Sequence, residues 1–440
     1  MKYAGLTEYA TDYCRHYTST RERTPLGVGP WLSQLRENGW KAFSKNGFPT
    51  MRNEDWKYLK LDELAAQDFE QGGWIPPEVV KELEPLADHI PFMDCYRMVF
   101  AEGLYVPELS SVGRGIEGVT ISPMSAALHP EQDRLTAALG SLIDVESMPL
   151  AALNTALFGD GAFVHLKKAA RLDRPLHLVF ISGVTDRPVV THPRSLFIVD
   201  EAAEMEVIES YLSASGKEYF TNAVTEMVLA RSAVLNHHQW HETRPGDSQF
   251  HTLAASVAGR ARMHTESISF GEGLTRSDIE TALTGPDAEA LMNGVFHTDG
   301  DGHFDLRSII EHCVEDCRSF ENYGGILDGN SSGSFNGTIK VFEDAQRTDS
   351  KQSSRNLLLS ENARMNTRPQ LEIFADDVKC THGATIGQLD KDALFYLKAR
   401  GISEQAGRRL LVQGFARERL EEIVDPEIRE HATRRLMERI

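Results

Sequence analysis

Between residues 200 and 300 the apolar positions recur in step. The segments AAEMEVIES, RSAVLNHHQ, RARMHTESI and EALMNGVFH align so that Met205, Val234, Met263 and Met292 fall 29 positions apart. Self-similarity at a fixed period of this size marks a stacked repeat, in which each unit buries its apolar face against the next. Midway between these segments lie other candidate strands, Tyr219 to Ala230, Phe250 to Val257, Ser277 to Leu283 and His303 to Ile310, with Gly, Asp and Ser at the joins. Two short strands per unit predict a β-solenoid rather than a helical repeat. Over residues 161–388 the pattern predicts about eight coils, and at roughly 4.8 Å per strand a rod of about 38 Å. Such a rod has edges that must be capped or paired, by the flanking domains or by a partner.

The flanks read as helical. After the breaker Pro30, the spacing of Trp31, Leu32, Leu35, Trp40 and Phe43 covers one helix face, and residues 1 to about 65 read as mostly helical, with a turn at GFPT. Glu54, Asp55 and Trp56 form an exposed turn leading into an anchoring aromatic. YRMVFAEGLYVPEL, Tyr96 to Leu109, reads as a small hairpin with Gly103 near its turn. Helical pieces around Arg134 to Ser141 and Leu150 to Phe158 close an N-terminal domain, residues 1–160. Beyond the core, residues 161–388, a helical C-terminal domain covers residues 389–440. There Asp390 and Ser403 are N-caps, Gly401 is a left-handed C-terminal cap, and Asp425-Pro426 supplies a cap and first turn for a last helix. Val412, Phe415, Ala416, Leu420 and Ile423 make an apolar stripe that packs on its own domain or receives a partner.

Candidate chemistry concentrates in Leu371 to Ile402. If Phe374 to Thr385 is extended, Phe374, Val378, Cys380 and His382 share one face. A thiolate beside a neutral imidazole suits iron, copper or zinc, although the same pair also occurs as a buried thiol beside a hydrogen-bonded histidine. NHHQWHET, Asn236 to Thr243, is the densest histidine cluster, but its glutamate follows the last histidine, unlike the zinc-protease order. On a strand His237, Gln239 and His241 face one way and His238, Trp240 and Glu242 the other. Cys313 and Cys317 lack zinc-ribbon spacing. The run Asp344 to Asn356 reads as a solvated strand and turn ladder without chemistry.

Composition narrows the classes. A formal net charge of −19 argues against nucleic-acid binding. The last forty residues are charge-balanced, so the acidic excess lies elsewhere. No apolar run reaches membrane-span length and the first thirty residues lack signal-peptide order, which predicts a cytoplasmic protein without membrane association. Five scattered cysteines, Cys14, Cys95, Cys313, Cys317 and Cys380, read as reduced thiols. No phosphate loop, dinucleotide fingerprint or Ser-His-Asp arrangement is evident, so no ATP site is expected in this chain.

The segment DDVKCTHGAT, with FNGTIKVFEDAQRTDSKQSSRNLLLSENA before it, resembles the C-terminal core of the SufD family of the SUF iron-sulfur cluster assembly system. GFPTMRNEDWKY, LNTALFGDGAFVHL and IEHCVEDCRSFENYGGIL extend the resemblance over nearly the whole chain. It implies a right-handed parallel β-helix between helical N- and C-terminal domains, mainly β overall. It also implies a non-catalytic scaffold that pairs with SufB through the β-helix core and with the SufC ATPase through the C-terminal helical domain. Alone, the chain has the option of a homodimer. The cofactor implied is a transient iron-sulfur cluster or iron shared with SufB, with His382 as the matching ligand and Cys380 beside it. Cys317 matches a cysteine of family members. Phe415 and Leu420 are the candidate contacts to the ATPase. Two other readings stay open: a β-solenoid metalloenzyme using His237, His241 and His264, and a purely structural subunit.

Overall fold

The computed structural model describes residues 7, 13–22, 29–90, 93–113, 115–214 and 218–440. Most of the first twelve residues and the side chain of Cys14 lie outside that part. The chain opens with helices α1 (Cys14–Glu22) and α2 (Pro30–Asn46), a 3-10 turn at Glu54–Trp56 and α3 (Asp62–Ala66). Strand β1 (Glu70–Gln71), helices α4 (Pro77–Glu82) and α5 (Glu84–Ala87), and the hairpin β2 (Tyr96–Ala101) and β3 (Leu104–Tyr105) follow. Gly103, at φ +77°, makes the hairpin turn. Next come β4 (Val119–Pro123), α6 (Met124–Ala127), α7 (Gln132–Ala138) and α8 (Pro149–Leu157).

From here to residue 388 the chain is strand after strand. They are β5 (Ala162–Leu166), β6 (Leu176–Ser182), β7 (Val189–Thr191), β8 (Arg194–Val199), β9 (Glu204–Ser213), β10 (Tyr219–Leu229) and β11 (Val234–Thr243). The series continues through β12 (Ser248–Val257), β13 (Arg262–Gly271), β14 (Leu274–Leu283), β15 (Glu289–Thr298) and β16 (His303–His312). It ends with β17 (Arg318–Leu327), β18 (Ser332–Val341), β19 (Thr348–Leu358), β20 (Arg364–Ile373) and β21 (Val378–Gln388). From β8 on, even strands stack in one sheet and odd strands in the other, all parallel. Consecutive strands therefore turn a corner between sheets, which is a solenoid coil. The second sheet from β6 to β21 holds eight such layers.

The 29-residue step is an average rather than a rule. Leu235, not Val234, pairs with both Met205 and Met263, and Met263 pairs with Ala290 while Met292 faces Thr265. Slipping by one residue changes the face a side chain occupies. Leu235 is accordingly fully buried and Val234 is not. Corner turns of unequal length absorb the difference.

The sheets begin before residue 161. Strand β2 adds parallel to β6, and β4 lies antiparallel on β5. Helix α8 is entirely buried. Its Asn154 amide donates to the carbonyls of Pro193 and Asn222, and the buried Arg194 to Glu226 pair, 2.5 Å, lies beside it. Trp56 anchors the preceding turn, with the Arg276 guanidinium 3.6 Å from its ring centroid.

Helices α9 (Lys391–Ala399), α10 (Glu404–Leu420) and α11 (Pro426–Arg439) finish the chain. Asp390, Ser403 and Asp425 cap them through side-chain acceptors, as their residue types dictate. Helices α10 and α11 pack on the outer face of the second sheet. Val412, Ala416, Leu420 and Leu436 join Trp240, Ile268, Val295 and Ile326 in one buried cluster, and Arg435 pairs with Glu242 at 2.6 Å.

Candidate functional site

Strand β21 is the last layer of its sheet. It pairs with β19 along one side, with Ser350 opposite Cys380 and Gln352 opposite His382, and no strand pairs with its other side among the described residues. Alternation puts Val378, Cys380 and His382 on the face continuous with the solenoid interior. Val378 and Cys380 are half-buried against Ile339, Val341 and Ala345, whereas His382 is exposed. Phe374 does not share this strand. Strand β20 stops at Ile373, and the Phe374 amide donates to Val341, which extends the β20 ladder by one residue. The chain then turns at Asp376 and Asp377. The Asp377 amide donates to Gln346 Oε1 and its carbonyl accepts from the Arg347 amide, so this corner stacks on the corner below it.

Burial, reinforced by the nearby Asp349 carboxylate, pushes the Cys380 thiol up from its ordinary range. At neutral pH it is a thiol, and a metal ion would have to displace its proton. Among the described residues no group of three His, Cys, Asp or Glu side chains is arranged to hold a metal. Cys380 and His382 are therefore at most half of a four-ligand set. A soft, thiophilic ion or cluster fits these two donors only if other donors come from outside the chain.

The histidine-rich strand β11 alternates as its sequence indicates. His237 lies inside, bonded to Glu209 Oε2 at 3.0 Å and Thr265 Oγ1 at 2.9 Å. His241, also inside, meets Gln249 Oε1 at 3.0 Å and stacks on Tyr211. Burial lowers the pKa of both rings, His241 to about 3. His264 pairs with Asn236 and so lies on the opposite face of the sheet, 3.2 Å from Glu266. The three rings thus do not form a common site, which corrects their grouping as a metalloenzyme centre. On that outer face His238 sits between Glu206 (2.9 Å) and Glu266 (2.7 Å). Burial opposes its charge, but the two carboxylate hydrogen bonds prevail and its pKa rises to about 9.

The remaining candidates divide. Leu420 is 4% exposed in the interface between α10 and the sheet, which corrects its reading as a partner contact: its stripe already has an occupant in the chain's own sheet. Phe415 is half-buried at the margin of the same cluster. The exposed apolar side chains of these helices are Phe395 and Tyr396 on α9 and Leu410 on α10. Cys317 is fully buried, with its thiol pushed up to about 11 by burial, so it is an unreactive group.

The interior beside β21 is polar and buried. The run Asp344 to Asn356 is not a solvated ladder: Thr348, Ser350, Gln352, Ser354 and Asn356 are buried, and they fill the interior next to β21. The signal was present in the alternation, because Asp349, Lys351, Ser353 and Arg355 occupy the other face. Nearby, Glu321 is 2% exposed, and its carboxyl is pushed up to about 7 by burial, against the hydrogen bond it accepts from Gln352.

The chain matches two family models: SufBD protein N-terminal region over residues 7–178, and SUF system FeS cluster assembly, SufBD core domain, over residues 180–415. It is 30% identical over 399 residues to the iron-sulfur cluster assembly protein SufD of Escherichia coli, covering 90% of each chain. An iron-sulfur cluster assembly SufBD family protein of Synechocystis is 31% identical over 385 residues, covering 85% of this chain and 84% of the relative. SufD of Bacillus subtilis is 26% identical over 275 residues, 62% of each.

Proposed function

The chain belongs to the SufBD family and is of the SufD type, with a role in SUF iron-sulfur cluster assembly, and from that premise we propose that it is a non-catalytic, cytoplasmic scaffold subunit whose open solenoid end receives a SufB-type partner. The observation that carries this reading is the edge strand β21, with His382 and Cys380 on the face that continues the solenoid interior. The cluster under construction is the substrate here. His382 and Cys380 contribute two donors and the partner the rest, which accounts for the incomplete set in this chain.

Strand chemistry favours β21 over β20 as the joining edge. Pro369 in mid-β20 lacks an N–H and blunts that edge, whereas β21 contains no proline. An extended segment of the partner added to β21 gains a full ladder of main-chain hydrogen bonds. A SufC-type ATPase binds the C-terminal helices, and the exposed Phe395, Tyr396 and Leu410 give it an apolar footing.

The test is co-expression with SufB- and SufC-type partners. His382→Ala is expected to leave complex yield and melting temperature near wild type while cluster content falls severely, and Cys380→Ser to do the same more weakly. Full cluster content in the His382 variant, or loss only in step with loss of folded complex, overturns the ligand role.

A further inference from the structure

Three inward-facing residues stand in file at the open end of the solenoid. Glu321 on β17 pairs in register with Gln352 on β19, and Gln352 with His382 on β21. Parallel neighbours lie roughly 4.8 Å apart, within reach of one another's side chains. The Gln352 amide Nε2 donates to Glu321 Oε2 at 2.6 Å, and both side chains are almost fully buried. The other end of that amide, Oε1, is buried and unpartnered. A planar amide that gives its nitrogen to the coil below leaves its oxygen for a donor elsewhere, and the next residue in file is His382.

The opposite sheet makes room for this arrangement. Gly337, in the middle of β18, carries no positive φ, so no turn requires a glycine there. A Cβ at this position would come 2.2 Å from Gln352 Nε2. A glycine in mid-strand weakens a sheet unless something approaches closely, and here the glutamine amide does.

We propose that Gln352, anchored by Glu321 and admitted by Gly337, is a positioning residue that accepts the ring N–H of His382 and so fixes which nitrogen faces the cluster. This rests on the ligand role proposed for His382. A carbonyl that takes one ring N–H selects the tautomer and leaves the other nitrogen's lone pair free for a metal. The same contact satisfies the buried Gln352 carbonyl, which otherwise carries a desolvation penalty. The raised pKa of Glu321 agrees with a carboxyl held dry behind the amide.

The test uses the full-length chain labelled with nitrogen-15 at histidine, and reads the His382 tautomer ratio from long-range proton-nitrogen correlations. His382→Ala assigns the signals by their loss. One hydrogen bond of ordinary net strength shifts the ratio about threefold to tenfold from that of free imidazole. The wild-type chain is expected to show that shift and Gln352→Leu to abolish it. Gly337→Ala, which crowds the amide without deleting it, is expected to reduce it, and it decides the matter if the leucine variant does not fold. In the co-expressed complex Gln352→Leu is expected to lower cluster content about tenfold at unchanged complex yield. A wild-type ratio equal to that of free imidazole, or a ratio unchanged by these substitutions, overturns the proposal. Because the tautomer is read without partner or cluster, it fails separately from the ligand role, which full cluster content in His382→Ala would overturn.

Discussion

The two ends of the solenoid are built on opposite terms. At the N-terminal end both sheets finish in short antiparallel strands, β3 and β4, and the layer they cover is apolar: Tyr96, Met98, Phe100, Val164 and Leu166 are all buried. At the C-terminal end both sheets finish in parallel strands that no further strand pairs with among the described residues, the interior turns to Ser350, Gln352, Ser354 and Asn356, and most of β21 is exposed. The first end is sealed by the chain's own hydrophobic effect. The second spends buried polar groups on an edge that nothing in the described chain covers. That asymmetry is what the proposed role of the open end as a partner face requires.

Substitutions can break this contrast, beginning with the closed end. Phe100 stacks on Phe180 inside the sealed layer, and Phe100→Ala is expected to cost about 3 to 5 kcal/mol in denaturant unfolding. A loss under 1 kcal/mol would show that this end is not the stabilising one. The polar interior should respond to pH instead. Glu321 titrates at about 7 folded against 4.5 for an ordinary glutamate, so its contribution is intact below pH 4.5 and is lost as pH rises toward 7. At about 1.4 kcal/mol per pH unit that gap sets a ceiling of roughly 3 kcal/mol. Glu321→Gln should therefore be more stable than wild type at pH 8 and no more stable at pH 4, and equal stability at both would remove the carboxyl from the account.

Smaller effects are expected where the surface is free. Phe395→Ser with Tyr396→Ser should change stability by about 0.5 kcal/mol or less yet reduce copurification of the proposed ATPase partner. Leu420→Asp, by contrast, should detach the helices from the sheet and lower the melting temperature, because it places an unpaired charge in the chain's own interior. Retention of the ATPase by the double serine variant would move its docking site. The smallest change belongs to the open edge: Ile386→Ala, at a side chain 46% exposed, should leave unfolding of the free chain unaltered within about 0.5 kcal/mol.

Periodicity made the solenoid legible, since alternation and the average 29-residue step are local signals. Its register is not legible: the 29-residue step matches Val234 to Met205 where Leu235 belongs, because corner lengths vary and sequence gives no measure of them. The caps at Asp390, Ser403 and Asp425 were readable from residue type alone. Burial was harder. The stripe that holds Leu420 is legible as apolar but not which surface covers it, and Gln352 sits in a polar stretch that only the coil beside the strand turns inward. Alternation puts Cys380 and His382 on one face, but it also joins Phe374 to them, because the corner between β20 and β21 is short and carries no glycine or proline to mark it.

Amide hydrogen exchange along the chain, free and then bound to a SufB-type partner, tests the open-end account most directly. In the free chain β21 should exchange far faster than the interior strands β11 to β17, because one of its edges faces solvent. On binding, protection should appear across Val378–Gln388 while β3 and β4 at the closed end stay as they were. Protection confined to β3 and β4, or none at β21 in a complex that does form, would contradict the assignment of the open end as the partner face.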